Sequence, residues 1–106
     1  MKMSTSYEKK EGYLRELKAE LKEAEAEILR LRNEVEMRFK EENAWLNEEL
    51  DNLNRKVGEV KTHMRELEQA KEDAYEDKLE LVTKSWNGLV AMLNKTELLI
   101  QEQTRA

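Results

Sequence analysis

Apolar residues return every three or four positions along most of the chain, first as Leu14, Leu17, Leu21, Ala24, Ile28, Leu31 and Val35. The stripe resumes with Leu46, Leu50, Leu53, Val57, Val60, Met64 and Leu67, and again with Tyr75, Leu79, Val82, Trp86, Leu89, Leu93 and Ile100. Such spacing marks one narrow face of an α-helix, too thin to enclose a core by itself, so these positions must be covered by another helix.

With Leu14 placed at heptad position a, Leu21, Ile28 and Val35 follow at a, and Leu17, Ala24 and Leu31 at d. The next d would be Arg38, but the apolar residue is Phe39, and the register advances by one. Asn43 then falls at a. A second advance follows Lys71, also at a, where Tyr75 rather than Ala74 continues the stripe; Leu79, Trp86, Leu93 and Ile100 then take a. Each advance raises the local repeat above that of the helix and relaxes a left-handed supercoil.

The pattern predicts an all-α fold: one long, nearly continuous helix over residues 6–103, roughly 140 Å at 1.5 Å per residue. Leu at most d positions, with Ile, Val and Leu mixed at a, favours two parallel strands, so the expected assembly is a parallel two-stranded coiled coil with register shifts near 35–39 and 71–75. Asn43 and Lys71 are the candidate register-specifying residues, since a polar a position penalises wrong pairings. Residues 1–5 are expected to be a disordered or non-native start, and Thr5 with Glu8 has capping-box spacing. The rival is an antiparallel hairpin turning near Asn52–Gly58, where Asn and Gly favour a turn. Leu50, Leu53, Val57 and Val60 keep their spacing straight through that stretch, which favours the uninterrupted helix.

Flanking charges do not choose the partner. In a parallel homodimer Glu27 would meet Arg32 and His63 would meet Glu68, but Glu20 would face Glu25 and Lys56 would face Lys61. Attraction and repulsion cancel, which leaves heterodimeric and antiparallel arrangements open.

Composition narrows the functional classes. Of 106 residues 41% are charged and 6% aromatic, with no proline and glycine only at 12, 58 and 88, so helix formers dominate and a globular interior is poorly supplied. The absence of cysteine excludes disulfides and thiolate metal sites and fits an intracellular protein. The longest uncharged run, residues 85–94, is too short and polar to cross a bilayer. A net charge of −5 disfavours nucleic acid, and the nearest basic cluster, Arg55, Lys56, Lys61 and Arg65, is diluted by Glu59 and Glu66. One histidine and no glycine-rich phosphate loop leave catalysis with little to work with, and no cofactor is implied. Glu59, His63 and Glu66 share a helix face, but three such residues read more readily as a solvated surface than as a metal site.

Two segments stand out as candidate partner-binding surfaces. Residues 85–100 carry only Lys95 and Glu97 as charges, and Val90, Met92 and Leu99 widen the apolar stripe beyond what a two-stranded seam requires. Trp86 adds a large aromatic to the same segment, of a kind enriched at protein interfaces. Trp45 falls at c, outside the seam, where a displaced aromatic can act as a docking anchor. The plainer alternatives are a thicker core for 85–100 and a local fold of Trp45 over its neighbours. Residues 42–50 resemble a short segment of the long coiled coils of the nuclear-pore basket, and 65–70 are similar to a stretch of the NudE-type dynein adaptors. Heptad composition makes such short matches common, and no family follows from them. The expected function is a structural dimerisation and spacer element, part of a larger scaffold, tether or motor-associated protein. The alternative is an adaptor whose 85–100 segment binds a partner helix or mediates higher-order assembly.

Overall fold

A computed structural model describes residues 8–38 and 44–105, all of them helical apart from short turns: α1 (Lys10–Arg38), α2 (Ala44–Gln69) and α3 (Glu72–Arg105). One nearly continuous helix is therefore not what forms. The chain is divided at the two places where the stripe advances, near 35–39 and 71–75. The reason is geometric. A one-residue advance turns the stripe by about 100° around the helix axis, so a straight helix would carry its apolar face off its neighbour. Reversing the chain lets each segment aim its own stripe at a common axis. The hairpin turn at Asn52–Gly58 is absent, because that stretch is interior to α2. Asn43 and Thr5 lie outside the described residues.

Direction can be read from the contacts. Lys18 reaches Glu68, Lys61 reaches Glu25 and Arg32 reaches Asp51, so α2 runs antiparallel to α1. Arg30 reaches Glu97, and Tyr13 and Leu17 line a hollow with Trp86, so α3 runs alongside α1 in the same direction. The result is an up-down-up three-helix bundle of 60 × 18 × 16 Å.

The reversal between α2 and α3 uses neither glycine nor proline. Ala70 N–H donates to Leu67 O at 3.1 Å and Ala74 N–H to Lys71 O at 3.0 Å, which tightens the chain on both sides of the break. The Lys10 ammonium, arriving from α1, donates to the carbonyls of Glu68 and Ala70, each at 3.1 Å. A cation over the last carbonyls of a helix satisfies groups that have no partner within the helix and complements the helix dipole. Glu72 and Asp73 give the first turn of α3 the matching negative charge.

The interior is the apolar stripe. Leu46, Leu50, Leu53, Val60, Leu67, Val82 and Leu89 are fully buried, as are Val35 and, within 2%, Ile28, Leu31, Tyr75 and Ile100. Each such side chain contributes roughly 1.5–3 kcal/mol through its removal from water. In α3 the fully buried row is Tyr75, Val82, Leu89 and Thr96, the d positions, while Leu79, Trp86 and Leu93 at a are only half-buried. No helix among the described residues is long and apolar enough to cross a membrane.

Candidate interaction surfaces

All the residues expected to form a dimer seam are described, and the fold places them inside a single chain. Leu14, Leu17, Leu21, Ile28, Leu31 and Val35 of α1 and Leu46, Leu50, Leu53, Val57, Val60, Met64 and Leu67 of α2 are buried, together with Val82 and Leu89 of α3; Leu79 and Leu93 pack against the same cluster half-buried. Burial is not uniform. Leu14, Leu17, Leu21 and Ala24 keep 3–7% of their surface, and so do Val57 and Met64 at 4% and 5%, whereas Val35, Leu46 and Leu50 keep none. Within α1 the first half is covered slightly less completely than the second, and in α3 the a positions Leu79, Trp86 and Leu93 are covered least.

Charges that conflict in a parallel homodimer are resolved here. Glu25 pairs with Lys61 at 2.8 Å instead of facing a second copy's Glu20, and Lys56 reaches Glu59 of its own helix at 3.5 Å. Arg32 pairs with Asp51 at 2.9 Å, and Glu68 with Lys18 at 3.2 Å. Each of these partners lies on the surface, so the pairs specify direction and register more than they add stability.

A second charged group ties α1 to α3. Arg30 holds Glu27 by two hydrogen bonds, reaches Glu34 at 3.4 Å and extends to Glu97 of α3 at 3.5 Å; Arg38 joins through Glu34. The hydrogen bond from Arg30 holds the Glu27 carboxyl below its ordinary range, with the guanidinium charge adding to it against a smaller opposing effect of burial.

The candidate partner-binding residues separate. Trp86 and Met92 pack against the core, and Val90 and Leu99 are half-buried, so the widened stripe of 85–100 serves a helix that has two neighbours rather than one. Trp45 at the start of α2 remains 40% exposed. Lys71 sits exposed in the α2–α3 turn, where its backbone carbonyl accepts the Ala74 bond. His63 Nδ1 lies 3.3 Å from Glu66 Oε1, while Glu59 is engaged with Lys56. No group of three potential ligands is placed to hold a metal ion among the described residues.

Two features escaped the sequence. Thr96 occupies the d position between Leu93 and Ile100 and is fully buried, with no hydrogen-bond partner for Oγ1 among the described residues. Its heptad position was the available signal. The other feature is a groove of about 330 Å³ between α1 and α2, floored by Leu21 and Met64 and edged by Lys18, Lys22, Lys61 and Arg65 against Glu25 and Glu68. Four cations face two carboxylates, a local charge of +2 on a chain of −5. The four lie in two helices that only folding brings together, which is why no basic cluster of this kind is visible along the sequence. No protein-family model, curated protein or solved structure matches the chain.

Proposed function

We propose that this protein is a non-catalytic structural module: a short helical spacer and interaction element, working within a larger scaffold, tether or motor-associated assembly, in which the three helices close on one another within one chain. The observation that carries this reading is the burial of the apolar stripe of α1 and α2 and of the d positions of α3 by the chain's own helices, with Glu25 and Lys61 paired across α1 and α2. A module of this kind keeps its outer faces for other proteins and holds attachment points at a set distance.

The parallel two-stranded homodimer uses the same seam and is the competing assembly. The two differ in size and mass. A closed monomer measures about 60 Å along its long axis and weighs 12.6 kDa. The paired rod would be roughly 140 Å long and twice as heavy. Light scattering with small-angle X-ray scattering on the full chain decides between them: a monomer with a short maximum dimension is expected, and a long dimer refutes the closed bundle.

The adaptor reading is supported by the exposure of Leu98 within residues 85–100 and of Trp45 outside them. In the bundle, residues 85–100 contribute Leu89, Thr96 and Ile100 to the interior. Truncation after residue 84 should therefore unfold the chain, whereas a free adaptor segment predicts a stable remainder that loses only its partner.

A further inference from the structure

We propose that the groove between α1 and α2 docks an acidic amphipathic helix of a partner protein, with its carboxylates held between Lys22 and Arg65. The proposal rests on the closed-bundle reading, since the groove exists only when α1 folds back on α2.

The register of the two helices is set by Lys18 with Glu68 and by Lys61 with Glu25. That register brings Lys22 of α1 and Arg65 of α2 to the same level on opposite banks of the groove. Lys18 and Lys61 are matched by carboxylates, but Lys22 and Arg65 are exposed and form no ion pair among the described residues. Two like charges facing each other across a cleft favour an anion between them, and a carboxylate there gains from both cations at once.

Shape points to a helix. The floor at Leu21 and Met64 is apolar and nearly closed, at 4% and 5% exposed, so the contact surface of the groove is chiefly its charged rims and the stems of their side chains. A second hollow, reaching from Lys10 to Lys18, shares Lys18 and Glu68 with the first and lengthens the channel along α1. From Lys10 to Glu25 the channel follows α1 for about 22 Å at 1.5 Å per residue, close to four turns of a docked helix. A helix seated over two others places its charged side chains on the rims of the groove between them.

The test uses the full chain and a fluorescein-labelled helical peptide of about 18 residues, with Leu at the seam positions and Glu at the flanking ones. A second peptide carries Lys in place of Glu. Fluorescence anisotropy should report salt-sensitive binding of the acidic peptide and none of the basic one. The double variant Lys22→Glu with Arg65→Glu should weaken binding about tenfold or more, while Arg55→Glu, outside the groove, should leave it unchanged. Circular dichroism on each variant verifies that the helices persist. Absence of binding, equal binding by the basic peptide, or an unaltered affinity in the double variant overturns the proposal. So does a short DNA duplex that binds with the same dependence on Lys22 and Arg65 where the acidic peptide does not. Light scattering on the same samples separates the two levels of the argument: a monomer that ignores the peptide refutes the docking site alone, and a dimeric rod refutes the bundle and the groove together.

Discussion

Reversing Glu25 to Lys distinguishes the two ways of covering the stripe by the sign of its effect. In the closed bundle Glu25 is the partner of Lys61 at 2.8 Å, with side chains 37% and 49% exposed. An ion pair this open to solvent is worth ~0.2–1 kcal/mol, and the reversal both removes that attraction and sets two ammonium groups against each other. The new cation also joins Lys18 and Lys22 in a groove that is already positive. We expect a loss of about 1 kcal/mol, which in a domain of this size lowers Tm by roughly 4–8 °C. Lys61→Glu should cost less, because Arg65 lies one turn further along α2 and offers the new carboxylate a replacement worth ~0.3–0.5 kcal/mol.

A parallel homodimer predicts the reverse for both variants. There Glu25 faces Glu20 and Lys61 faces Lys56, so each reversal would turn repulsion into attraction and raise Tm. Thermal and urea melts followed by circular dichroism at low salt measure the two single variants and the double exchange, Glu25→Lys with Lys61→Glu. The double variant should recover most of the loss, giving a favourable coupling energy. In 1 M salt, where the screening length falls to about 3 Å, the differences should shrink. Stabilisation by either single reversal, or a double exchange no better than the sum of its parts, would refute the antiparallel pairing of α1 and α2.

Three further outcomes follow from individual residues. Thr96→Val replaces a buried hydroxyl that has no partner among the described residues with a methyl group of similar size, and should raise stability by about 1 kcal/mol in urea melts; a loss would mean that the hydroxyl is satisfied. Gly58→Ala, at an exposed site inside α2 with open space where a Cβ would stand, should add up to ~1 kcal/mol through helix propensity, and no gain would argue against an unbroken helix there. Burial, with the charges of Tyr13 and Glu76, raises the Tyr75 phenol above its ordinary value. An acid whose folded pKa is raised stabilises fully below its unfolded pKa, about 10, and that contribution is lost as pH climbs toward the folded value. Stability should fall on that alkaline side, and Tyr75→Phe should flatten the decline; an identical slope in the variant would exclude Tyr75 as its source.

The apolar stripe was legible because helical burial has a period, and the period survives whatever covers it. From Leu14 to Val35 and from Leu46 to Leu67 the residues selected by spacing are the residues that lose their water. The breaks between helices were legible only as advances of register, since nothing near Ala70 and Lys71 has the composition of a turn. What closes that reversal is Lys10, a residue some sixty positions away, bonded to the carbonyls of Glu68 and Ala70. Local turn chemistry could not show a cap delivered through the fold. The Asn and Gly of 52–58 suggested a rival turn that the spacing already outweighed: their turn preference costs about 1 kcal/mol at most in an exposed helix, against Leu53, Val57 and Val60 buried beneath them.

Strand direction was hidden for a different reason. A narrow stripe asks for cover and does not specify whether the cover comes from a second chain or from the same one. The distinguishing information lay in the flanking charges, where Glu20 with Glu25 and Lys56 with Lys61 made poor parallel neighbours. In the antiparallel sense Glu25 and Lys61 match each other: position 18 with 68 and 25 with 61 keep a constant sum, and Arg32 reaches Asp51 one turn from the same line. The same alignment sets Lys22 against Arg65, a level of the groove where both banks are basic and neither side chain forms an ion pair among the described residues. Direction and candidate docking site thus depend on a single register, so a shift of one heptad between α1 and α2 would break the Lys18 and Lys61 pairs and separate Lys22 from Arg65 together.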